Sequence, residues 1–290
     1  STDGYYDSQT NVTVKVTPLP GFRFRTWSGD LSGNTPAGTL AMSSPRAVQA
    51  VFDKVPYILP SGVSNAAGTT PVTAVAAGSV VSIFGANLAN SVELGPSSPL
   101  AQTLAGVTVR LGDRLLPLYF ASPTQINVQM PSDLDSGTQT VTVSTVGQAD
   151  VQASFNVVPD APGLFPSLGA DGQVYAVASH GDGSPVTKDA PVKPGETITL
   201  YGTGFGATTP VRPFGFAVPD SAQYTLNDAV SLQIASATPL APAAAYAVTG
   251  MVGVDAVQFV LGSDAPSGTN AAITVTINGQ TSNTVLLPIQ

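Results

Sequence analysis

Short stretches of alternating apolar and polar residues recur along the sequence. The first three are VTVKV at 12–16, FRFR at 22–25 and AVQAVF at 47–52, and a Pro-Gly turn precedes the second. A period of two is typical of a strand that buries one face. These stretches therefore predict a small β unit over residues 1–54.

Two longer parts of the chain share one order of apolar stretches. GSVVSIFGANL at 78–88 is echoed by GETITLYGTGF at 195–205, and QINVQM at 125–130 is echoed by AVQFVL at 256–261. Each part then closes with a pair of alternating stretches around a glycine turn. Landmarks that recur in one order indicate an internal repeat of the same β unit.

The composition agrees with a chain of strands and turns. Glycine and proline number 29 and 25 of the 290 residues, only 10% of the residues are charged, and 43% are hydrophobic. Such a sequence lacks the usual surface helix formers but has enough apolar residues to fold. We predict an all-β protein in which two tandem β-sandwiches, at 55–160 and 161–290, follow the unit at 1–54.

The charge distribution argues against polyanionic partners. The net charge is −8, and the nearest approaches to a basic cluster are the pairs Arg23/Arg25 and Arg110/Arg114. Binding to phosphate backbones needs a basic stripe that releases counterions. We therefore expect no nucleic acid and no anionic membrane surface as a partner. The proline-interrupted apolar stretch 241–254 predicts a buried strand pair and no membrane insertion.

The sequence contains no cysteine, which excludes disulfides and thiolate metal sites. We expect no cofactor. A cysteine-free chain rich in Thr, Ser and Asn suits a bacterial protein that works outside the cell, so we expect an extracellular or cell-surface location. The chain opens on Ser1-Thr2-Asp3-Gly4, which has no signal-peptide features, and an export signal is expected upstream or already cleaved.

Four motifs of the first fifty residues occur in a fixed order. They are GYY at 4–6, PGFRF at 20–24, WSGD at 27–30 and VQAVF at 48–52. In this order they resemble the bacterial surface repeat related to the internalin B-repeat. The resemblance implies a small β-grasp-like module that serves surface proteins as a spacer or adhesive unit.

Four further motifs lie in the rest of the chain. They are VSIFG at 81–85, SPTQINVQ at 122–129, APGLF at 161–165 and YGTG at 201–204. Together they resemble the Solibacter-type C-terminal region of secreted acidobacterial proteins, and the first also resembles IPT/TIG-type immunoglobulin-like domains. The sequence departs from that pattern at Gln258, where the second repeat commonly carries Asn. The resemblance implies two Ig/TIG-like sandwiches and secretion, and it implies no chemistry.

The segment GTGFGA at 202–207 approaches a dinucleotide-binding fingerprint. That fingerprint requires a helix directly after the glycines. Pro210 and Pro213 stand where the helix would begin, and proline disrupts a helix interior. The segment therefore predicts a turn that leaves a strand, in which the glycines supply positive φ.

His180 is the single histidine of the chain, and Asp171, Asp182 and Ser184 lie near it in sequence. A catalytic triad would need His180 as its base, but no Gly-x-Ser-x-Gly nucleophile elbow occurs. The glycines around residue 182 predict an exposed loop histidine instead. One histidine also excludes multi-histidine zinc sites.

The acidic residues offer no recognisable catalytic or metal-binding spacing. Asp133 and Asp135 match no calcium-binding loop, and Glu93 and Glu196 are the only glutamates. No carboxylate pair stands out for glycoside hydrolysis. We therefore expect that the protein is not an enzyme.

Aromatic residues of the N-terminal unit are the remaining candidates for a binding site. Phe22, Phe24 and Trp27 are expected to fill the core of a unit that has no disulfides. Tyr5 and Tyr6 are adjacent, so in a strand they would point to opposite faces and one would be exposed. Tyr5 and Tyr6 are therefore the candidate ligand-binding residues, with a sugar ring as the expected ligand.

These observations together predict a non-catalytic extracellular structural or adhesive protein, such as a stalk, a matrix element or a self-assembling fibre subunit. Its expected partners are further copies of itself or other proteins of the cell surface and matrix. The alternative is a carbohydrate-binding or protein-binding module at the C-terminal end of a larger secreted enzyme. In that case a polysaccharide is a possible partner.

Overall fold

The protein is built from strands joined by turns and loops. The computed structural model describes residues 5–68, 74–263, 265–266 and 268–290, and these residues form 27 strands. This confirms the predicted all-β fold class. In the described ranges no helix has the length and apolar character needed to cross a membrane. The chain divides into two compact units, Ser1–Tyr57 and Ile58–Gln290.

The N-terminal unit consists of two antiparallel ladders. Its strands are β1 (Asn11–Lys15), β2 (Phe22–Gly29), β3 (Ala37–Ala41) and β4 (Val48–Lys54). β1 pairs with β3, and β2 pairs with β4. The alternating stretches of the sequence thus coincide with β1, β2 and β4.

Aromatic rings form the core of this unit. Trp27 and Phe24 are buried, as expected, with their ring centroids 5.2 Å apart. The Trp27 indole Nε1 donates to the carbonyl oxygen of Thr35 at 2.8 Å, which satisfies its one polar group. The expectation for Phe22 was wrong, since 42% of this residue is exposed. Phe22 begins β2 and faces Lys54, the last residue of β4, so it lies at the open end of the ladder.

The first sandwich consists of two five-stranded sheets, ordered β5-β7-β12-β11-β8 and β10-β9-β13-β14-β6. Apolar side chains of both sheets meet in one buried cluster, which includes Ile83, Ile126 and Val141. The strands are β5 (Tyr57–Asn65), β6 (Ala74–Ala76), β7 (Val80–Ala86), β8 (Glu93–Leu94), β9 (Val107–Leu111), β10 (Arg114–Leu115), β11 (Leu118–Ala121), β12 (Gln125–Gln129), β13 (Gly137–Thr145) and β14 (Val151–Val158).

The second sandwich has a seven-stranded and a six-stranded sheet around a second buried cluster, which includes Leu200, Phe259 and Ile273. The strands are β15 (Gly163–Leu164), β16 (Pro166–Leu168), β17 (Val174–Ala176), β18 (Ala178–His180), β19 (Thr197–Thr203), β20 (Thr208–Thr209), β21 (Tyr224–Leu226), β22 (Val230–Ile234), β23 (Ala244–Ala247), β24 (Asp255–Val260), β25 (Thr269–Ile277), β26 (Gln280–Thr281) and β27 (Val285–Ile289). The seven-stranded sheet runs β15-β19-β24-β23-β21-β20, with β18 also paired to β19. The six-stranded sheet runs β16-β17-β27-β25-β22, with β26 paired to β25.

The repeated sequence landmarks occupy equivalent strands in the two sandwiches. The first landmark forms β7 in one sandwich and β19 in the other. The second forms β12 and β24, which pair antiparallel with β7 and β19 respectively. Each sandwich is therefore built around the same central pair of buried strands.

Candidate functional sites

The glycine-rich segment after β19 brings the two sandwiches into contact. Gly204 and Gly206 have φ of 83° and 95°, so the segment is the predicted turn rather than the start of a helix. A Cβ atom at Gly204 would lie 2.4 Å from the carbonyl oxygen of Ala161, and one at Gly206 would lie 2.1 Å from Asp160 Oδ1. Only glycine allows this close approach of the turn to the connection between the sandwiches.

Asn65, at the end of β5, hydrogen-bonds to both sides of this contact. Its Nδ2 donates to the carbonyl oxygens of Ala161 at 2.7 Å and Thr203 at 3.1 Å. Its Oδ1 accepts from the backbone N–H of Ala67 at 2.8 Å. The buried amide of Asn65 thus ties the first sandwich to the connection and to the last residue of β19.

Thr203 makes a second buried link. Its Oγ1 accepts from the backbone N–H of Val80 at 2.9 Å and donates to the carbonyl oxygen of Gly253 at 2.6 Å. Val80 begins β7 of the first sandwich, whereas Gly253 lies in the turn between β23 and β24 of the second. One hydroxyl therefore connects the central strands of both sandwiches.

Arg212 and Asp255 form a buried ion pair beside this link. Arg212 Nη1 lies 2.7 Å from Asp255 Oδ1, and the two side chains are 2% and 0% exposed. Arg212 Nη2 also donates to the carbonyl oxygen of Gly206 at 2.9 Å, and Asp255 Oδ2 accepts from the N–H of Phe205 at 3.0 Å. Burial raises the pKa of Asp255, and the Arg212 charge opposes this shift.

The segment that carries Arg212 also docks onto the first sandwich. The aliphatic part of Arg212 packs against Gly78, and Ser132 Oγ donates to the Arg212 carbonyl oxygen at 3.0 Å. Gln129, fully buried, donates to the carbonyl oxygen of Pro213 at 3.1 Å and accepts from the N–H of Gly215 at 2.6 Å. This docking fixes the loop of one sandwich on the other.

Tyr119 of β11 adds a contact at the edge of the junction. Its hydroxyl donates to the carbonyl oxygen of Val252, and burial raises the pKa of Tyr119 to about 12. We call the set Asn65, Gln129, Thr203, Arg212 and Asp255, with these contacts, the junction. Its hydrogen bonds join the two sandwiches, and its ion pair, within the second sandwich, holds the Arg212 segment that packs on the first.

The glycine turn at the junction was predicted from the sequence, but the polar side chains of the junction were not. Arg212 is the one charged residue in the proline-rich stretch 210–219, and Asp255 is the charged first residue of a buried strand. An isolated charge in an apolar context is the only signal that could have marked this pair.

The two candidate tyrosines lie in the N-terminal unit at residues that precede β1. Tyr5 and Tyr6 are 82% and 40% exposed, so both side chains reach the surface. They line a hollow of about 390 Å³ together with Met42 and the segment 43–46. The adjacent residues do not form a strand, which is why the expected alternation of faces does not occur.

The side chain of Arg46, on the rim of this hollow, is held by three contacts with neighbouring residues. Its Nη1 lies 3.1 Å from Asp30 Oδ1, its Nη2 donates to Ser43 Oγ, and its Nε donates to the Ala41 carbonyl oxygen. The Ala47 N–H and the Arg46 guanidinium lower the pKa of Asp30. Arg46 therefore fixes the shape of the hollow.

His180 does not lie in an exposed loop, as the sequence had suggested, but at the end of β18. Its Nδ1 contacts Glu196 Oε1 at 2.5 Å and its Nε2 contacts the Ala190 carbonyl oxygen at 3.1 Å. The nearby Ser184 hydroxyl donates to Asp182 Oδ1 at 2.6 Å instead of approaching the imidazole. His180 thus ties the 187–196 segment to the sheet and is not joined to a nucleophile.

Of the acidic residues considered for metal binding, Asp133 is engaged in an ion pair. Asp133 pairs with Arg114 at 2.5 Å, and this contact lowers the pKa of Asp133. Among the residues that the structure describes, no group of three or more His, Asp or Glu side chains could hold a metal ion.

Comparisons with solved structures found several multi-domain β proteins. The chain is similar to the Bacteroides ovatus mixed-linkage glucan utilization locus SGBP-B (9% identity, 98% of this chain and 64% of that one, TM-score 0.33). It is also similar to a biofilm-associated protein BSP domain (12% identity, 81% and 29%, TM-score 0.27) and to domains 5-6 of the S-layer protein SbsC (14% identity, 81% and 98%, TM-score 0.24). The chain therefore spans less than two thirds of the length of the first two.

A search of curated proteins found no match. A family model does match the N-terminal part of the chain, in agreement with the resemblance seen in its motifs. Residues 1–56 are similar to the divergent InlB B-repeat domain.

Proposed function

We propose that this protein is a non-catalytic structural or adhesive protein of the cell surface or extracellular matrix, in which the two sandwiches act as one stiff spacer. The proposed domains are the surface repeat at 1–54 and Ig/TIG-like sandwiches at 55–160 and 161–290. Secretion and the similarity to the Solibacter-type C-terminal region belong to this proposal. Its partners are further copies of the chain or other surface and matrix proteins.

The observation that supports a stiff spacer is the junction. Neighbouring domains usually move relative to each other unless their interface is large and well packed. Here the buried side chains of Asn65, Gln129 and Thr203 form hydrogen bonds from one sandwich to the other. Arg212, which forms a buried ion pair within the second sandwich, also packs against Gly78 of the first. Bending at this point would break hydrogen bonds that water could not replace without entering the interface.

Electron–electron distance measurements test the stiffness directly. Because the chain has no cysteine, spin labels at Thr138→Cys and Ala272→Cys would be the only labels, one on each sandwich. We expect one narrow distance distribution, as narrow as that of a control pair at Gln102→Cys and Thr138→Cys within the first sandwich. A broad or two-peaked distribution between the sandwiches would refute the stiff spacer.

A second candidate function is glycan binding by the N-terminal hollow. The exposure of Tyr5 and Tyr6 at a concave surface favours it, because the C–H face of a sugar ring packs on an aromatic face. This function matches a binding module at the end of a larger secreted enzyme.

Pull-down with insoluble polysaccharides tests this candidate. The double variant Tyr5→Ala/Tyr6→Ala is expected to lose most of the bound fraction, since the stacking surface is removed. A Leu19→Ala variant, which changes another exposed apolar residue of the same unit, serves as the control. Equal binding by the double variant and the wild type would exclude the hollow as the site.

A further inference from the structure

The outer face of the seven-stranded sheet carries a second aromatic surface. In β19 and β24 the core-facing residues are Ile198, Leu200, Val257 and Phe259. Because side chains alternate along a strand, the residues between them face away from the core. We call this face the platform, and its residues are Ser179, Thr199, Tyr201, Tyr246, Ala256 and Gln258. Tyr201, Tyr246 and Gln258 are half-buried and reach the surface, whereas the other three are buried.

Strand register places the two tyrosines on either side of a small residue. Tyr201 is directly opposite Ala256, and Tyr246 is directly opposite Ala256 from the other side. The Cα atoms of the two tyrosines are separated by two strand spacings, a distance of about 10 Å. The two half-buried aromatic rings thus flank one alanine on a pleated surface.

The tyrosine hydroxyls are anchored to the same face. Tyr201 Oη lies 3.0 Å from Ser179 Oγ, and the Tyr246 hydroxyl hydrogen-bonds with the Thr199 side chain. Burial raises the pKa of Tyr246. The Tyr201 hydroxyl is thus held by the adjacent strand β18, and the Tyr246 hydroxyl reaches across β24 to β19. Both side chains are held at their ends, so little conformational freedom remains to be lost when a ligand binds.

An apolar hollow adjoins Tyr201. Its volume is about 580 Å³, and Phe165, Val177 and Met251 are among its lining residues. Val177 and Met251 are 39% and 47% exposed. The platform is therefore continuous with a concave region at its edge.

We propose that the platform binds a neutral polysaccharide. Its side chains are aromatic, hydroxyl, methyl or amide groups, and each of the six is uncharged. The half-buried rings of Tyr201 and Tyr246 suit the apolar C–H face of a pyranose, and the half-buried Gln258 amide suits the equatorial hydroxyls of a sugar. The net charge of −8 disfavours an anionic chain at an uncharged surface. This inference adds a second glycan-binding surface, which is separate from the one proposed above at Tyr5 and Tyr6.

Affinity electrophoresis in gels that contain a soluble polysaccharide tests the proposal. The neutral probes are β-glucan, xylan and galactomannan, and polygalacturonate is the anionic comparison. We expect retardation by at least one neutral probe and none by polygalacturonate. Tyr201→Ala and Tyr246→Ala should each weaken the retardation about tenfold, as expected for loss of a stacking surface.

Matched variants separate binding from folding. Tyr201→Phe retains the ring and should retain most of the binding, and Gln258→Ala should weaken it without removing an aromatic residue. Tyr5→Ala/Tyr6→Ala changes only the separate N-terminal hollow, so in these gels of soluble polysaccharide it should keep the retardation that is due to the platform. A thermal melt of each variant identifies any that has not folded.

Three results would refute the proposal that the platform binds a neutral polysaccharide. The first is no retardation of the wild type by any neutral probe. The second is unchanged retardation of Tyr201→Ala and Tyr246→Ala, or a loss that is confined to Tyr5→Ala/Tyr6→Ala. The third is a dimer, seen by sedimentation, that Tyr201→Ala dissociates, since the face would then be covered by a second copy. None of these results alters the spin-label distances that test the stiff spacer.

Discussion

Arg212→Met is expected to lower the free energy of unfolding of the larger unit by about 3–5 kcal/mol. The substitution retains an apolar side chain against Gly78 but leaves the fully buried Asp255 carboxylate without its counter-charge. Removal of one partner of a buried ion pair costs more than the pair itself contributes, because the remaining charge stays desolvated. Calorimetry or far-UV circular dichroism should follow the unfolding, since the single tryptophan, Trp27, lies in the N-terminal unit.

Two control variants make this result specific. Arg212→Met/Asp255→Leu removes both charges and should recover most of the lost stability. Arg110→Met replaces an exposed arginine of β9 and should change the stability by less than about 0.5 kcal/mol. If Arg212→Met were as mild as Arg110→Met, the ion pair would not be an important element of the junction.

Asn65→Ala is expected to cost about 2–5 kcal/mol, which is the second-largest effect. The truncation leaves the carbonyl oxygens of Ala161 and Thr203 and the N–H of Ala67 without their partner in a buried region. The expected signature is a lower melting temperature together with faster amide hydrogen exchange at Ala67.

Asn90→Ala is the matched control for this prediction. The Asn90 amide makes a 3.5 Å contact with the Val146 carbonyl oxygen at the surface of the same sandwich. Its loss should be close to neutral. Similar melting temperatures for the Asn65 and Asn90 variants would contradict the role assigned to Asn65.

The sequence predicts the strands and the repeat well because both depend on local patterns. The alternation in β1 and β2, and the buried apolar runs of β7 and β19, reflect which face of each strand meets the core. The positive φ of Gly204 was foreseen for the same reason, since two prolines nearby exclude a helix.

The polar side chains of the junction could not be predicted in this way. Asn65 meets Ala161 and Thr203, which are 96 and 138 residues away in sequence. No local pattern reports such a contact. The misplacement of His180 has a related cause, since the glycines that follow it suggested a loop, whereas pairing with β19 makes residues 178–180 a strand.

The platform was missed because its residues belong to separate strands. Tyr201 and Tyr246 are 45 positions apart, and only the register through Ala256 makes them neighbours. Tyr5 and Tyr6, in contrast, are adjacent in the chain, and such proximity is visible in the sequence.

The contacts between the two sandwiches also restrict how the genes of such proteins can recombine. A recombination breakpoint at residue 160 would separate Asn65 from its acceptors and Arg212 from the surface it covers. If the first sandwich were joined to an unrelated domain, the buried Asn65 amide would lose its partners. If the second were, the buried Arg212–Asp255 pair would face a surface that does not fit it. Gene shuffling should therefore move the two sandwiches as a single cassette, with tolerated fusion points outside residues 58–290.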